Sequence, residues 1–94
     1  MSLPINKLSI TIPISYRFFD NNQKYQGICT TLTDNKLIFN TDSSIKVGWA
    51  LEVTLSPQQL SEVSFTALIE VESSTRIDHQ HFEISAIIST IKAH

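Results

Sequence analysis

The residues best equipped for chemistry in this sequence lie in one short polar segment, Asp78-His79-Gln80-His81. Two histidines two positions apart share a face when the chain is extended, and the nearby carboxylate could join them as a metal ligand. The sequence offers no convincing third ligand, and the segment falls where a loop between two strands is expected. We therefore predict a hairpin loop here and no metal site.

Cys29 is the only cysteine, and it lies in an apolar stretch with no histidine near it in sequence. A catalytic thiol needs a neighbouring group that lowers its pKa, so Cys29 is expected to be a small packed residue. Serine, histidine and aspartate all occur, but no serine stands in a glycine-flanked turn between a strand and a helix. The sequence therefore predicts a protein without catalytic residues.

The composition predicts one small ordered domain that spans residues 1–94, with 41% apolar and 17% charged residues. A net charge of −2 argues against nucleic-acid binding, which needs a concentrated basic face. No apolar run reaches the roughly 18–20 residues of a membrane-spanning helix. A single cysteine also forms no internal disulfide. Together these features favour a cytoplasmic protein without a membrane span.

Apolar and polar residues alternate through most of the chain, which is the period of a half-buried β-strand. Six segments follow this period: Ile10–Arg17, Lys24–Leu32, Lys36–Thr41, Trp49–Leu55, Phe65–Val71 and Phe82–Ile88. Turn-forming residues separate them, and the longest such stretch, Ser73 to Gln80, predicts a polar loop. Ser56-Pro57-Gln58-Gln59 predicts a helical start of a turn or two. Six short strands joined by turns predict an all-β, antiparallel, closed or nearly closed small barrel.

Three positions within these strands carry specific expectations. Pro13 lacks an amide hydrogen and stands on a polar face, so its strand should lie at an edge or beside a bulge. Ile28, Thr30 and Leu32 are predicted to share a face of the second strand. Trp49 is predicted to pack in the core or to lie half-exposed as an anchor.

The order of these segments resembles that of a PilZ domain over nearly the whole chain. The first strand is similar to the family pattern of a hydrophobic residue, proline, valine, any residue and tyrosine. The resemblance rests on these segments, in chain order: Ile12-Pro13-Ile14-Ser15-Tyr16-Arg17, Leu37-Ile38-Phe39, Ile45-Lys46-Val47-Gly48, Leu51-Glu52-Val53, and the paired strands Phe65–Val71 and Phe82–Ile88.

PilZ domains are six-stranded barrels of the split-barrel type, and many bind the bacterial second messenger cyclic di-GMP. The resemblance implies a non-enzymatic regulatory domain in the control of pili, motility or attachment. The family binds the nucleotide through an Arg-x-x-x-Arg segment before the first strand and an Asp/Asn-x-Ser-x-x-Gly segment after the second. Arginine pairs with phosphate and stacks on guanine, and glycine lets the backbone approach the ligand closely.

The family's binding positions fall on other residue types in this chain. Alignment on the first-strand proline places the two arginines at Leu3 and Lys7. Alignment on the third strand places the acid or amide at Thr31, the serine at Thr33 and the glycine at Lys36. A lysine lacks the two-pronged guanidinium, and the loss of the other arginine removes a contact worth about 1.5–3 kcal/mol. The resemblance therefore implies a degenerate PilZ domain with weak or no nucleotide binding.

Three interpretations stay open at this point. In the first, the chain acts by protein–protein interaction. In the second, it binds cyclic di-GMP weakly through Lys7, Arg17 and the Thr31–Lys36 loop, where Asp34 and Asn35 either meet guanine or simply form a turn. In the third, it is a small barrel that binds RNA or single-stranded DNA, which the acidic charge disfavours.

The last strand carries a candidate partner surface. Ile87 and Ile91 are predicted to lie on the face opposite the other apolar residues of that strand. Such a face packs against a protein partner, against a second copy of the chain in a homodimer, or under the N-terminal segment Leu3–Leu8.

Overall fold

The computed structural model of the chain describes residues 7–20, 22–55 and 65–93, with side chains within those ranges from residue 11 to residue 92. The described residues form six strands: β1 (Lys7–Phe18), β2 (Tyr25–Thr33), β3 (Lys36–Thr41), β4 (Ala50–Leu55), β5 (Phe65–Arg76) and β6 (Phe82–Ala93). The predicted all-β class is confirmed. The predicted helical start at 56–59 lies outside the described residues.

The six strands close into one antiparallel barrel in the order β1-β2-β3-β6-β5-β4. Hairpin pairs join β1 to β2, β2 to β3, β4 to β5 and β5 to β6, whereas the β1–β4 and β3–β6 pairs join strands that are distant in sequence. The predicted six-stranded antiparallel barrel is confirmed. No helix in the described part of the chain is long and apolar enough to cross a membrane.

The barrel interior is filled by the apolar half of the two-residue alternation, because successive side chains of a strand point to opposite faces. The largest buried side chains are Tyr16, Phe39, Leu37, Ile45, Leu51, Ile69 and Ile84. Six of these side chains come from strands other than β2, which contributes the smaller Cys29, and Ile45 comes from the segment between β3 and β4. Burial of this apolar surface is the main term that stabilises the fold.

A hydrogen-bonded pair crosses the aromatic part of the core. The Thr41 hydroxyl donates to the backbone carbonyl of Gln26 at 3.3 Å and accepts from the Tyr16 hydroxyl at 2.7 Å. Burial raises the pKa of Tyr16, so its hydroxyl stays protonated and able to donate. The Tyr16 ring also stacks on Tyr25 at 5.5 Å and tilts against Phe39 at 5.2 Å. This pair lets the core hold two polar groups without leaving either unsatisfied.

A bulge in β2 overturns one predicted face. The register of β2 against β3 shifts between Cys29 and Thr31, which leaves Thr30 as an extra residue. The alternation breaks there, so Ile28 is 38% exposed while Cys29 is buried and Leu32 packs against the core. The prediction that Ile28 and Leu32 share a face is therefore wrong.

Pro13, which has no amide hydrogen to donate, lies next to an irregularity in strand pairing. Pro13 is exposed and lies beside the register irregularity between Ser9 and Ile12 in β1. The pairing of β1 with β4 begins only at the next residue, Ile14. The expectation of a bulge next to this proline is confirmed.

The β5–β6 hairpin is longer than its sequence predicts. Residues Ser73–Arg76 belong to β5 and pair with Phe82–Ser85, so the first half of the predicted loop from Ser73 to Gln80 is strand. The turn occupies residues 77–81. On the β6 side, Phe82 and Ile84 of this part pack on the core. The β5 side is polar and lacks the apolar alternation, and backbone hydrogen bonds to β6 hold it as strand.

Two ion pairs lie on the outside of the barrel and span its long-range strand junctions. Arg17 Nε of β1 lies 2.7 Å from Glu52 Oε1 of β4. Lys36 Nζ of β3 lies 2.8 Å from Glu72 Oε2 of β5, across β6. Each therefore connects elements that are far apart in the chain.

Candidate functional site

The Thr31–Lys36 loop, which was predicted to correspond to the second binding segment of PilZ domains, contains a tight turn closed by its own side chains. The Thr33 hydroxyl oxygen accepts from the backbone amide of Lys36 at 2.9 Å and from that of Asn35 at 3.3 Å. The same hydroxyl lies 3.1 Å from Asn35 Oδ1, to which it donates. The predicted turn at Asp34 and Asn35 is confirmed, and the Thr33 hydroxyl is engaged within it.

Lys36 is the cation of this loop, and its charge is held by a carboxylate. Its ammonium donates to Glu72 Oε2 at 2.8 Å, and Glu72 also accepts from the Ser85 hydroxyl at 2.8 Å. The hydrogen bond from Lys36 is the main reason that the pKa of Glu72 is lowered, followed by the bond from Ser85. The Asn35 carbonyl accepts from the amide of Ile88 at 2.9 Å, which fixes the turn against β6. The loop is thus bound to the barrel by internal contacts.

The structure brings together some of the predicted nucleotide-contact residues and separates another. The backbone of Lys7 lies opposite Thr33 in the β1–β2 pairing, and Thr31 lies nearby in the same hairpin. Arg17 stands ten residues further along β1, roughly 30 Å away at the rise of an extended strand. Its guanidinium contacts Glu52 instead. Leu3 lies outside the described residues. The proposed grouping of Arg17 with the Thr31–Lys36 loop is therefore wrong.

The polar segment at residues 78–81 closes the β5–β6 turn. His81 Nδ1 lies 2.9 Å from Asp78 Oδ1, and the backbone amide of Gln80 donates to the same oxygen at 2.8 Å. The Gln80 amide is the largest cause of the lowered pKa of Asp78, with the His81 contact next. Arg76 donates to the backbone carbonyls of Asp78 and His79 at 3.2 and 3.3 Å. Within the described residues, no three histidine, cysteine or acidic side chains are placed to hold a metal ion.

Cys29 is fully buried, and its environment suppresses its reactivity. Its side chain is 0% exposed, and burial raises the pKa of its thiol to about 11. The expectation that Cys29 is a packed core residue is confirmed.

This burial predicts a slow reaction of the native protein with a thiol reagent such as dithiobis-nitrobenzoate. A pH of 8 is well below the raised pKa of the thiol, so little thiolate is present. The reagent also has no access to the sulfur, because the side chain is buried. The native protein should react far more slowly than the chain unfolded in guanidinium chloride, which should release one equivalent of chromophore for its one cysteine. Equal rates for the native and unfolded chains would contradict the buried position.

Ile87 and Ile91 lie on opposite faces of β6. The register of β6 against β5 shifts between Ile88 and Thr90, which leaves Ser89 as an extra residue. Ile91 lies directly opposite Ala67, a buried residue, and directly opposed residues share a face. Ile91 thus lines an apolar depression of about 150 Å³ at one barrel end, where it is 50% exposed, whereas Ile87, 46% exposed, faces outward. The prediction that the two isoleucines form one surface is wrong, and residues 3–6 of the segment expected to cover it lie outside the described residues.

The other end of the barrel carries an exposed aromatic group that the sequence interpretation did not single out. We define the aromatic corner as Phe18, Phe19, Asp20 and Trp49, which line a depression of about 350 Å³ together with Gly48 and Ala50. Trp49 is 46% exposed and Phe19 is 52% exposed. Of the two positions predicted for Trp49, the structure shows the half-exposed one and not the one in the core.

A signal for this corner is present in the sequence. Adjacent residues of a strand point to opposite faces, so the pair Phe18-Phe19 at the end of β1 places one of the two rings on the solvent side. Phe19 and Asp20 form the turn that follows β1, so a carboxylate lies next to the exposed ring in the chain. Trp49 comes beside them because β1 pairs with β4, where Phe18 lies opposite Leu51, and this long-range pairing is not visible in the sequence.

Comparison with known proteins adds no assignment to this geometry. The sequence matches no family model, and no curated protein matches it.

Proposed function

We propose that the chain is a non-enzymatic bacterial regulatory module of the PilZ type, which acts in the cytoplasm by protein–protein interaction. The closed six-stranded barrel is compatible with the resemblance of the sequence to that family. The observation that carries the proposal is the exposure of three large apolar side chains at one barrel end: Phe19 at 52%, Val47 at 64% and Trp49 at 46%. Grouped aromatic and apolar side chains on a small domain are typical of protein-contact surfaces.

The internal contacts of the second binding segment support weak or absent binding of cyclic di-GMP. A nucleotide phosphate would have to compete for the Lys36 ammonium with Glu72, whose Oε2 lies 2.8 Å from Lys36 Nζ. The Thr33 hydroxyl would have to leave the amides of its own turn to reach a guanine edge. Breaking existing hydrogen bonds offsets the gain from new ones, so such a site binds less tightly than an unoccupied one.

Isothermal titration with cyclic di-GMP tests this part of the proposal. The wild-type chain is expected to show no binding tighter than about 10 μM, which corresponds to about 7 kcal/mol of binding free energy. Tighter binding would favour the alternative function, a cyclic di-GMP receptor that uses non-standard contacts.

A gain-of-binding variant tests whether the barrel is a PilZ scaffold at all. It combines Leu3→Arg, Lys7→Arg, Thr31→Asp, Thr33→Ser and Lys36→Gly, which restores the family's binding residue types. Saturable binding of cyclic di-GMP by this variant, with none by wild type, is the expected result. A variant that keeps the circular dichroism spectrum of the wild type but binds no nucleotide would overturn the PilZ assignment.

A further inference from the structure

The aromatic corner has two ring walls at a right angle. The rings of Phe18 and Trp49 are 5.2 Å apart between centroids with an interplanar angle of 89°. Phe19 and Asp20 stand next to them at the end of β1 and line the same depression. The depression therefore combines aromatic surface with a carboxylate in a volume of about 350 Å³, which is large enough for one side chain.

Both walls are fixed by the barrel before any ligand arrives. The Phe18 ring packs edge-on against Tyr25 at 5.6 Å and Tyr16 at 6.2 Å. The backbone of Trp49 is held by β5, since its carbonyl accepts from the amide of Val71 at 2.9 Å and the amide of Gly48 donates to the carbonyl of Val71 at 2.8 Å. A site that is already ordered loses little conformational entropy on binding.

The chemistry of the corner suits a cation. The face of an aromatic ring carries negative electrostatic potential, and a carboxylate beside it adds a full negative charge. The chain already places one cation on this ring, because Lys46 Nζ lies 5.9 Å from the centre of Trp49. Trp49 is thus within cation–π range of an ammonium even without a partner.

We propose that the aromatic corner binds an arginine side chain of a partner protein, an inference that rests on the proposed protein-binding function. A guanidinium is planar and weakly hydrated, so it stacks on an indole and also pairs with a carboxylate through two parallel hydrogen bonds. The ammonium of Lys46 is more strongly hydrated and stands on an exposed, flexible stem. Lys46 does not line the depression, so an incoming guanidinium meets the rings and Asp20 without having to displace that side chain.

The test uses the fluorescence of Trp49, which is the only tryptophan of the chain. The probe is Nα-acetyl-arginine amide, and the matched control probe is the citrulline analogue, which has a similar shape and no charge. The arginine probe is expected to change the emission of Trp49 with a dissociation constant of about 1–10 mM, as suits a single stacked and paired side chain. The citrulline probe is expected to bind at least about threefold more weakly. Equal binding of the two probes would overturn the inference.

Two carboxylate variants test whether Asp20 is the acidic side chain that pairs with the guanidinium of the probe. Asp20→Asn is expected to weaken binding of the arginine probe by about three- to tenfold, the effect of losing one exposed ion pair. Asp34→Asn removes a carboxylate from the β2–β3 turn and should leave the dissociation constant unchanged. Equal affinities of wild type and Asp20→Asn, with both folded by circular dichroism, would also overturn the inference. Tight cyclic di-GMP binding with intact arginine binding would remove the proposed function and leave this site in place.

Discussion

Replacement of Phe39 by alanine is expected to lower the free energy of unfolding by about 3–5 kcal/mol. Phe39 is 0% exposed, and its ring lies 5.2 Å from that of Tyr16 in the middle of the barrel. Truncation removes the apolar contacts of the ring and leaves a cavity that the closed barrel has little freedom to fill. A domain of this length has a total stability of about 5–14 kcal/mol, so the variant should be near the limit of folding. Urea unfolding followed by far-UV circular dichroism measures the loss.

Phe19→Ala is the matched control, because it deletes the same atoms at a position that is 52% exposed. Its loss of stability should stay below about 1 kcal/mol, as is usual for surface positions. Similar losses for the two variants would mean that the ring of Phe39 does not fill the core.

Replacement of Gly27 by alanine is expected to destabilise the protein by about 1–3 kcal/mol, even though it adds a single methyl group. A Cβ at this position would lie 2.9 Å from the backbone oxygen of Asn40 and 3.2 Å from Cδ2 of Phe39. The Asn40 oxygen belongs to β3, the strand paired with β2, so the two strands must separate to admit the methyl. At an unhindered position the same exchange stabilises a protein by about 0.4–1 kcal/mol through the unfolded chain. A lower midpoint of thermal unfolding for Gly27→Ala than for the wild type is therefore expected, and a higher midpoint would show that the added methyl group is accommodated.

Gly48 provides the contrasting glycine. A Cβ there meets nothing within 4 Å, but the backbone has a φ of 94°, which β-branched residues strongly disfavour. Gly48→Asn should therefore cost less than Gly48→Val, since asparagine tolerates positive φ. A Gly27→Ala variant as stable as the wild type would show that β2 and β3 can separate without cost.

The alternation of apolar residues was sufficient to predict the class of the fold and the inward faces of β3, β4 and much of β5. It failed where the strands are irregular. A bulge adds one residue to a strand, and an added residue reverses every face beyond it. Thr30 in β2 and Ser89 in β6 are such residues. Nothing in the types of these two residues distinguishes them from ordinary strand positions. The exposure of Ile28 and the placement of Ile91 on the face of β6 opposite to that of Ile87 were therefore mispredicted.

The candidate site was less predictable than the fold for a different reason. The position of the Thr31–Lys36 loop follows from local sequence, and its turn was predicted from Asp34 and Asn35. The partner of Lys36 was not, because Glu72 lies on a distant strand and reaches it across β6. The aromatic corner likewise depends on the contact of Phe18 with Trp49, which are 31 positions apart in the chain.

The strand order has a consequence for how the chain folds. Strands β1–β2–β3 and β4–β5–β6 are two sequential three-stranded meanders, and each needs only contacts between neighbours in sequence. The barrel forms when the two meanders dock along two seams, β1–β4 and β3–β6. Closing such long loops is the slow part of folding for β-rich domains, so we expect docking of the two meanders to limit the folding rate. The Arg17–Glu52 and Lys36–Glu72 pairs span these seams, and they form only when both meanders are in place.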